Sequence, residues 1–107
     1  MSELARRHCE ACESGTPPLG AEQAKQLHSE LNPAWVLGGD NLQRTFEFRN
    51  FRDPFGLATK VALLAEAEGH HPDLEISWGK LVVFLKTHSA GGLTDNDFIM
   101  AAKIDSL

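Results

Sequence analysis

Apolar positions along this chain change period several times, and each change marks an element. In "AEQAKQLHSEL" (21–31), Ala24, Leu27, His28 and Leu31 recur at helical spacing and Glu22 suits the positive end of the helix dipole. Asn32–Pro33 should end that helix. "AWVL" (34–37) and "LQRTFEFRNF" (42–51) flank "GGDN", a pattern that predicts a β-hairpin. Within the second run Leu42, Phe46 and Phe48 supply one face, while Thr45, Glu47 and Arg49 supply the other. Asp53–Pro54 then offers a capping side chain followed by a proline at the first helical position, and the helix should run to about Glu68, with Gly69 as its stop. Two apolar stripes follow this helix: Phe55, Ala58, Ala62 and Ala65, then Leu57, Val61 and Leu64. So wide an apolar arc predicts cover on more than one side, the second cover being another subunit. "LEISW" (74–78) and "KLVVFLKT" (80–87) predict two further strands turning at Gly79, the second apolar on both faces like a central strand. After the loop "AGGL" (90–93), Thr94-x-x-Asp97 forms a capping box for a last helix carrying Phe98, Ala101 and Ala102. Helix, two strands, helix, two strands, helix predicts an α+β domain. It should span residues 20–107, preceded by an irregular arm over 1–19 whose "SGTPPLG" (14–20) acts as a hinge.

Composition narrows the function classes. A chain of 107 residues with 42% hydrophobic and 23% charged positions suits one globular domain. A formal net charge of −5 leaves no basic excess for a phosphate backbone, so nucleic acid is not an expected partner; Arg6, Arg7, Arg44, Arg49 and Arg52 read as solvated surface. "MSELARRHCEAC" is charged, and the longest apolar runs, "VALLA" and "LVVFL", are too short to span a bilayer. The expectation is a soluble, cytoplasmic protein with no membrane contact. Cys9 and Cys12 are too few for a disulfide scaffold.

The candidate chemistry lies in "EGHHPD" (68–73). Glu66 and His70 stand four apart at a helix end and should face each other, while Pro72 turns the chain outward at His71. Two rings are thus held at a rigid corner, and imidazoles exchange protons near neutral pH. His88, in "LKTHSAGG", ends an apolar strand where small residues permit close approach of a ligand. The rival readings are plain: histidines at a helix end can merely cap carbonyls, and a lone strand-end histidine is usually structural. Zinc is a further rival, since three imidazoles and a carboxylate can complete a metal shell. Against it stand the lack of a His-x-x-x-His helix motif and of a second CxxC; His8-Cys9-x-x-Cys12 is a half-knuckle at most. No phosphate loop or nucleophile elbow is present.

Glu66-x-x-x-His70-His71-Pro72, Trp78 after five residues, His88 after nine more and Asp97 after eight together resemble the pterin-4a-carbinolamine dehydratases. The resemblance covers nearly the whole chain, and "HCEAC", "EAEGHHP", "WGK" and "GLTDNDFIMAA" are similar to bacterial members. It implies a four-stranded antiparallel sheet with three helices on one face, assembled as a homodimer or homotetramer. It also implies loss of water from 4a-hydroxytetrahydrobiopterin to give the quinonoid dihydropterin, which recycles the pterin of aromatic amino-acid hydroxylases, with no cofactor and no metal. Residue by residue, His70, His71 and His88 match the catalytic set around the pterin's reactive edge. Glu66, Pro72, Thr87, Ser89, Ala90 and Trp35 match substrate-binding positions. Trp78 and Asp97 belong to the pattern, with packing and helix capping as their expected tasks. Where many animal members carry an acidic residue before the histidine pair, this chain has Gly69. Animal relatives also act as dimerisation cofactors of a transcription factor, so a non-catalytic binding role is the alternative.

Overall fold

The computed structural model describes residues 3–10 and 16–107. The elements are α1 (Glu3–Arg6), α2 (Ala21–His28), β1 (Val36–Leu37), β2 (Leu42–Glu47), α3 (Arg52–Glu68), β3 (Asp73–Ser77), β4 (Lys80–Leu85) and α4 (Asp95–Ile104). A 3₁₀ turn covers His88–Ala90. The strands form one antiparallel sheet in the order β1-β2-β4-β3, so the doubly apolar β4 is central, as its composition requires. Across the sheet Leu42 of β2 opposes Leu85 of β4, and in the β3–β4 hairpin Leu74 opposes Val83.

Alternate residues of β4 explain the layering. Leu81, Val83 and Leu85 are 0% exposed and join Ala58, Val61 and Ala65 of α3 and Phe98, Ile99, Met100 and Ala101 of α4 in one core. Full burial of each leucine, valine, isoleucine, methionine or phenylalanine among them contributes about 1.5–3 kcal/mol. Phe55 and Leu63 on the far side of α3 stay exposed, which matches an arc too wide for the sheet alone to cover. The first apolar stripe is therefore split: Ala58 and Ala65 are buried, whereas Phe55 and Ala62 face outward.

Three local expectations change. The helix α3 begins two residues earlier than Asp53–Pro54 suggests: Phe51 is its N-cap without a side-chain cap bond, and Asn50 Oδ1 accepts the Asp53 N–H of the first turn at 2.7 Å. Trp35 is 1% exposed: its indole N–H donates to the Asp105 carboxylate and its ring meets Phe46 edge-on. The arm, expected to be irregular, contains the turn α1, which buries Leu4 and Ala5 against α4. Cys12 and the start of the expected hinge, residues 14 and 15, lie outside the described residues.

Beyond α1 the arm is tied at Glu68. Its carboxylate accepts the Cys9 N–H at 2.8 Å and meets the His8 ring at 3.0 Å, with Lys103 Nζ at 3.7 Å. Burial alone would raise this carboxyl's pKa, but the Cys9 and His8 hydrogen bonds and the Lys103 charge outweigh it and hold it below the usual value of 4.5. The stabilisation from Glu68 is therefore full above that value and is lost as pH falls through the lower folded one. Amide exchange at Cys9, corrected for its intrinsic rate, should show the arm loosening below about pH 4.5 while β4 remains protected; equal loss at both would contradict a local clasp. Burial, then the Glu68 charge, pushes the Cys9 thiol up to about 12, leaving it a poor nucleophile at neutral pH.

Candidate active site

The corner after α3 is made by Gly69, whose φ of 69° is the left-handed geometry that ends a helix, with its N–H bonded to the Ala65 carbonyl. The reversal removes His70 from the helical ladder, so the expected Glu66–His70 pair does not form. Instead His71 Nε2 lies 2.6 Å from Glu66 Oε2, an exposed pair five residues apart. His70 turns inward, 8% exposed, with Nε2 at 2.6 Å from Asp97 Oδ1. A carboxylate only accepts, so each of these Nε2 atoms carries the proton and each Nδ1 remains for other partners.

Asp97 organises the interior of the site. Fully buried at 0% exposure, it accepts from His70 on one oxygen and from Thr87 Oγ1 (2.8 Å) and the Thr94 N–H (3.0 Å) on the other. Thr94 and Thr87 also share a hydroxyl hydrogen bond of 2.8 Å. The capping box predicted from Thr94-x-x-Asp97 is present, and it does more than start a helix. Capping occupies one oxygen of the carboxylate; the spare oxygen was the sequence signal for a second partner.

β4 delivers the third histidine. Thr87 pairs with Gly92 as an isolated antiparallel bridge, closing a short loop in which His88 opens the 3₁₀ turn and Gly91 adopts a φ of 71°. The result is a cleft of about 250 Å³ lined by Glu10, Gly69, His70, His71, Lys86, Thr87, His88, Ser89 and Asn96. Five of the expected site residues, His70, His71, Thr87, His88 and Ser89, thus share one space. Glu66 reaches it through His71, while Pro72, Ala90 and Trp35 are not among its lining residues. Trp35 was expected beside the pocket; held by Asp105 within the core, its ring serves packing. Two remaining histidines are accounted for elsewhere: His28 bonds the Trp35 carbonyl at 2.6 Å, and His8 holds Glu68. A larger cleft of about 550 Å³ lies beside Arg44, Phe46 and Lys60, but no histidine, cysteine, serine or threonine lines it, so it offers no comparable proton chemistry. Among the described residues no group of three His, Cys, Asp or Glu side chains is arranged to hold a metal ion.

Residues 17–107 match the family described as Pterin 4 alpha carbinolamine dehydratase. The chain belongs to that family. Proteins bearing the family's dehydratase name match over nearly their full lengths. That of Methylococcus capsulatus is 48% identical over 97% of this chain and 92% of its own, and that of Rubrobacter xylanophilus 44% identical over 100% of both. Among solved structures, the transcriptional coactivator/pterin dehydratase of Brucella melitensis is similar, at a TM-score of 0.76 and 31% identity, covering 83% of this chain and 96% of that one. The family's α+β sheet is thus the fold seen here, and no described helix is long and apolar enough to cross a membrane.

Proposed function

We propose that this enzyme dehydrates 4a-hydroxytetrahydrobiopterin to the quinonoid dihydropterin and water by histidine acid–base catalysis. The observation that carries the reading is the meeting of His70, His71 and His88, from a helix corner and a strand end, in one cleft. Elimination needs two proton movements: the C4a–O bond breaks as an imidazolium protonates the departing hydroxyl, and the C4a=N5 bond forms as a neutral imidazole takes the N5 proton. Positioned acids and bases typically contribute ~10²–10⁴-fold, which suits an adduct that already loses water readily. Asp97 orients His70 and Glu66 orients His71, each fixing which ring nitrogen holds a proton. Thr87 and Ser89 supply the wall against which the pterin lies, in a loop that Ala90 continues, and Pro72 stiffens the corner. No cofactor takes part. In this reading the chain works in the cytoplasm as a homodimer or homotetramer, regenerating pterin for an aromatic amino-acid hydroxylase.

A purely binding protein has no physical need for converging imidazoles held by carboxylates, so catalysis is favoured over the coactivator role that the name of the Brucella protein also carries. The test follows the absorbance decay of freshly formed 4a-hydroxytetrahydropterin. Wild type should accelerate it, and His88→Ala should lose at least about tenfold of that acceleration. No acceleration by wild type would leave only the binding role.

A further inference from the structure

Glu10 lines the histidine cleft although it lies in the arm, remote along the chain from the other lining residues. Its peptide is gripped from both sides by Asn96, in the first turn of α4. Asn96 Oδ1 accepts the Glu10 N–H at 3.0 Å, and Asn96 Nδ2 donates to the Glu10 carbonyl at 2.6 Å. A side-chain amide paired in both directions fixes a peptide's position and its orientation, as a neighbouring strand would. Asn96 is itself buried at 6% exposure, and its carbonyl also meets Cys9 Sγ at 3.6 Å. One residue earlier, the Cys9 N–H is held by Glu68. The arm is therefore clasped by the end of α3 and the start of α4, the same two helix ends that carry His70 and its partner Asp97.

We infer that the arm at Glu10 forms a working wall of the substrate cleft, with Glu10 a substrate-contacting residue and Asn96 the residue that positions it. An arm needed only for stability would be served by Leu4 and Ala5 in the core and by the Lys103 bond to the Ala5 carbonyl at 3.0 Å. The grip on Glu10 adds order at the rim of the cleft, where a flat heterocycle between the histidines meets a second surface. The inference rests on the dehydratase reading of the cleft.

Three readouts test it: steady-state kinetics on the hydroxylated pterin, deuterium exchange with and without 7,8-dihydropterin, and the same measurements on His88→Ala. Glu10→Ala and Asn96→Ala should each raise KM by about fivefold or more with kcat within about twofold, the pattern of lost binding rather than lost chemistry. Dihydropterin should add protection at residues 8–10 of wild type, and less in Asn96→Ala. Unchanged KM in both variants, or a fall in kcat without a change in KM, would overturn the wall while the dehydratase reading survives through turnover by wild type that His88→Ala reduces. Absence of turnover and of dihydropterin protection in wild type would overturn both.

Discussion

Replacing Asp97 by alanine is expected to cost the fold ~3 kcal/mol or more, because three buried donors lose an acceptor and each such loss typically costs about 1–3 kcal/mol. The size follows from what is left behind. The carboxylate has no exposure, and it accepts from the His70 ring, the Thr87 hydroxyl and the Thr94 amide. Each donor would lose that acceptor, and a buried donor without an acceptor is costlier than the bond it once made. Urea unfolding measures this as a lower midpoint at unchanged slope; a loss under about 1 kcal/mol would show that water or another acceptor replaces the carboxylate. Asp97→Asn separates stability from chemistry. The amide keeps one oxygen but presents an N–H₂ to groups that are themselves donors, so either His70 or the helix cap loses its acceptor. Rotation of the His70 ring or exchange of its protonated nitrogen would lower dehydration by about 10²-fold, even where the fold persists. Activity within about twofold of wild type would remove Asp97 from the proton machinery.

That dependence also marks how far the sequence could be read. The period changes located α2, α3, α4 and the four strands, most closely α3 and β4, which bury a face whose spacing is written in the residues. By contrast, α2 and β2 end three and four residues short of the expected limits. The three histidines were legible as a set because the chain places all three at ends of regular elements. Their partners were less so. Helical spacing assigned Glu66 to His70, but Gly69 breaks the helix between them, and an i,i+4 rule holds only where the helix continues. For Asp97 local spacing predicts the cap alone, since it shows the bond to Thr94 but not His70, which lies 27 residues away. The arm's order was hidden for the same reason: Glu68, Asn96 and Lys103 hold it from distant positions, and no short stretch records such contacts.

The largest kinetic effects should come from the three cleft histidines, and the pH profile should reveal how they divide the work. The acid must be protonated and the base neutral at the same moment. The rate therefore falls at low pH as the base gains a proton, and at high pH as the acid loses one. Wild type should give a bell-shaped kcat/KM between about pH 5.5 and 8.5, the interval in which imidazoles change charge. Glutamine at 70, 71 or 88 removes proton transfer while keeping a polar side chain. Replacement of the acid or the base should lower the rate by ~10²–10⁴-fold. The limb that vanishes then identifies the missing partner: loss of the acid limb marks the base, and loss of the alkaline limb marks the acid. The third histidine should change KM more than kcat, as a group that binds the ring without exchanging its proton. Double substitution of the acid and the base should cost little more than the worse single change, because half of a proton relay has no function alone. A flat wild-type profile, or three single variants that all retain both limbs, would mean that the water leaves without imidazole chemistry.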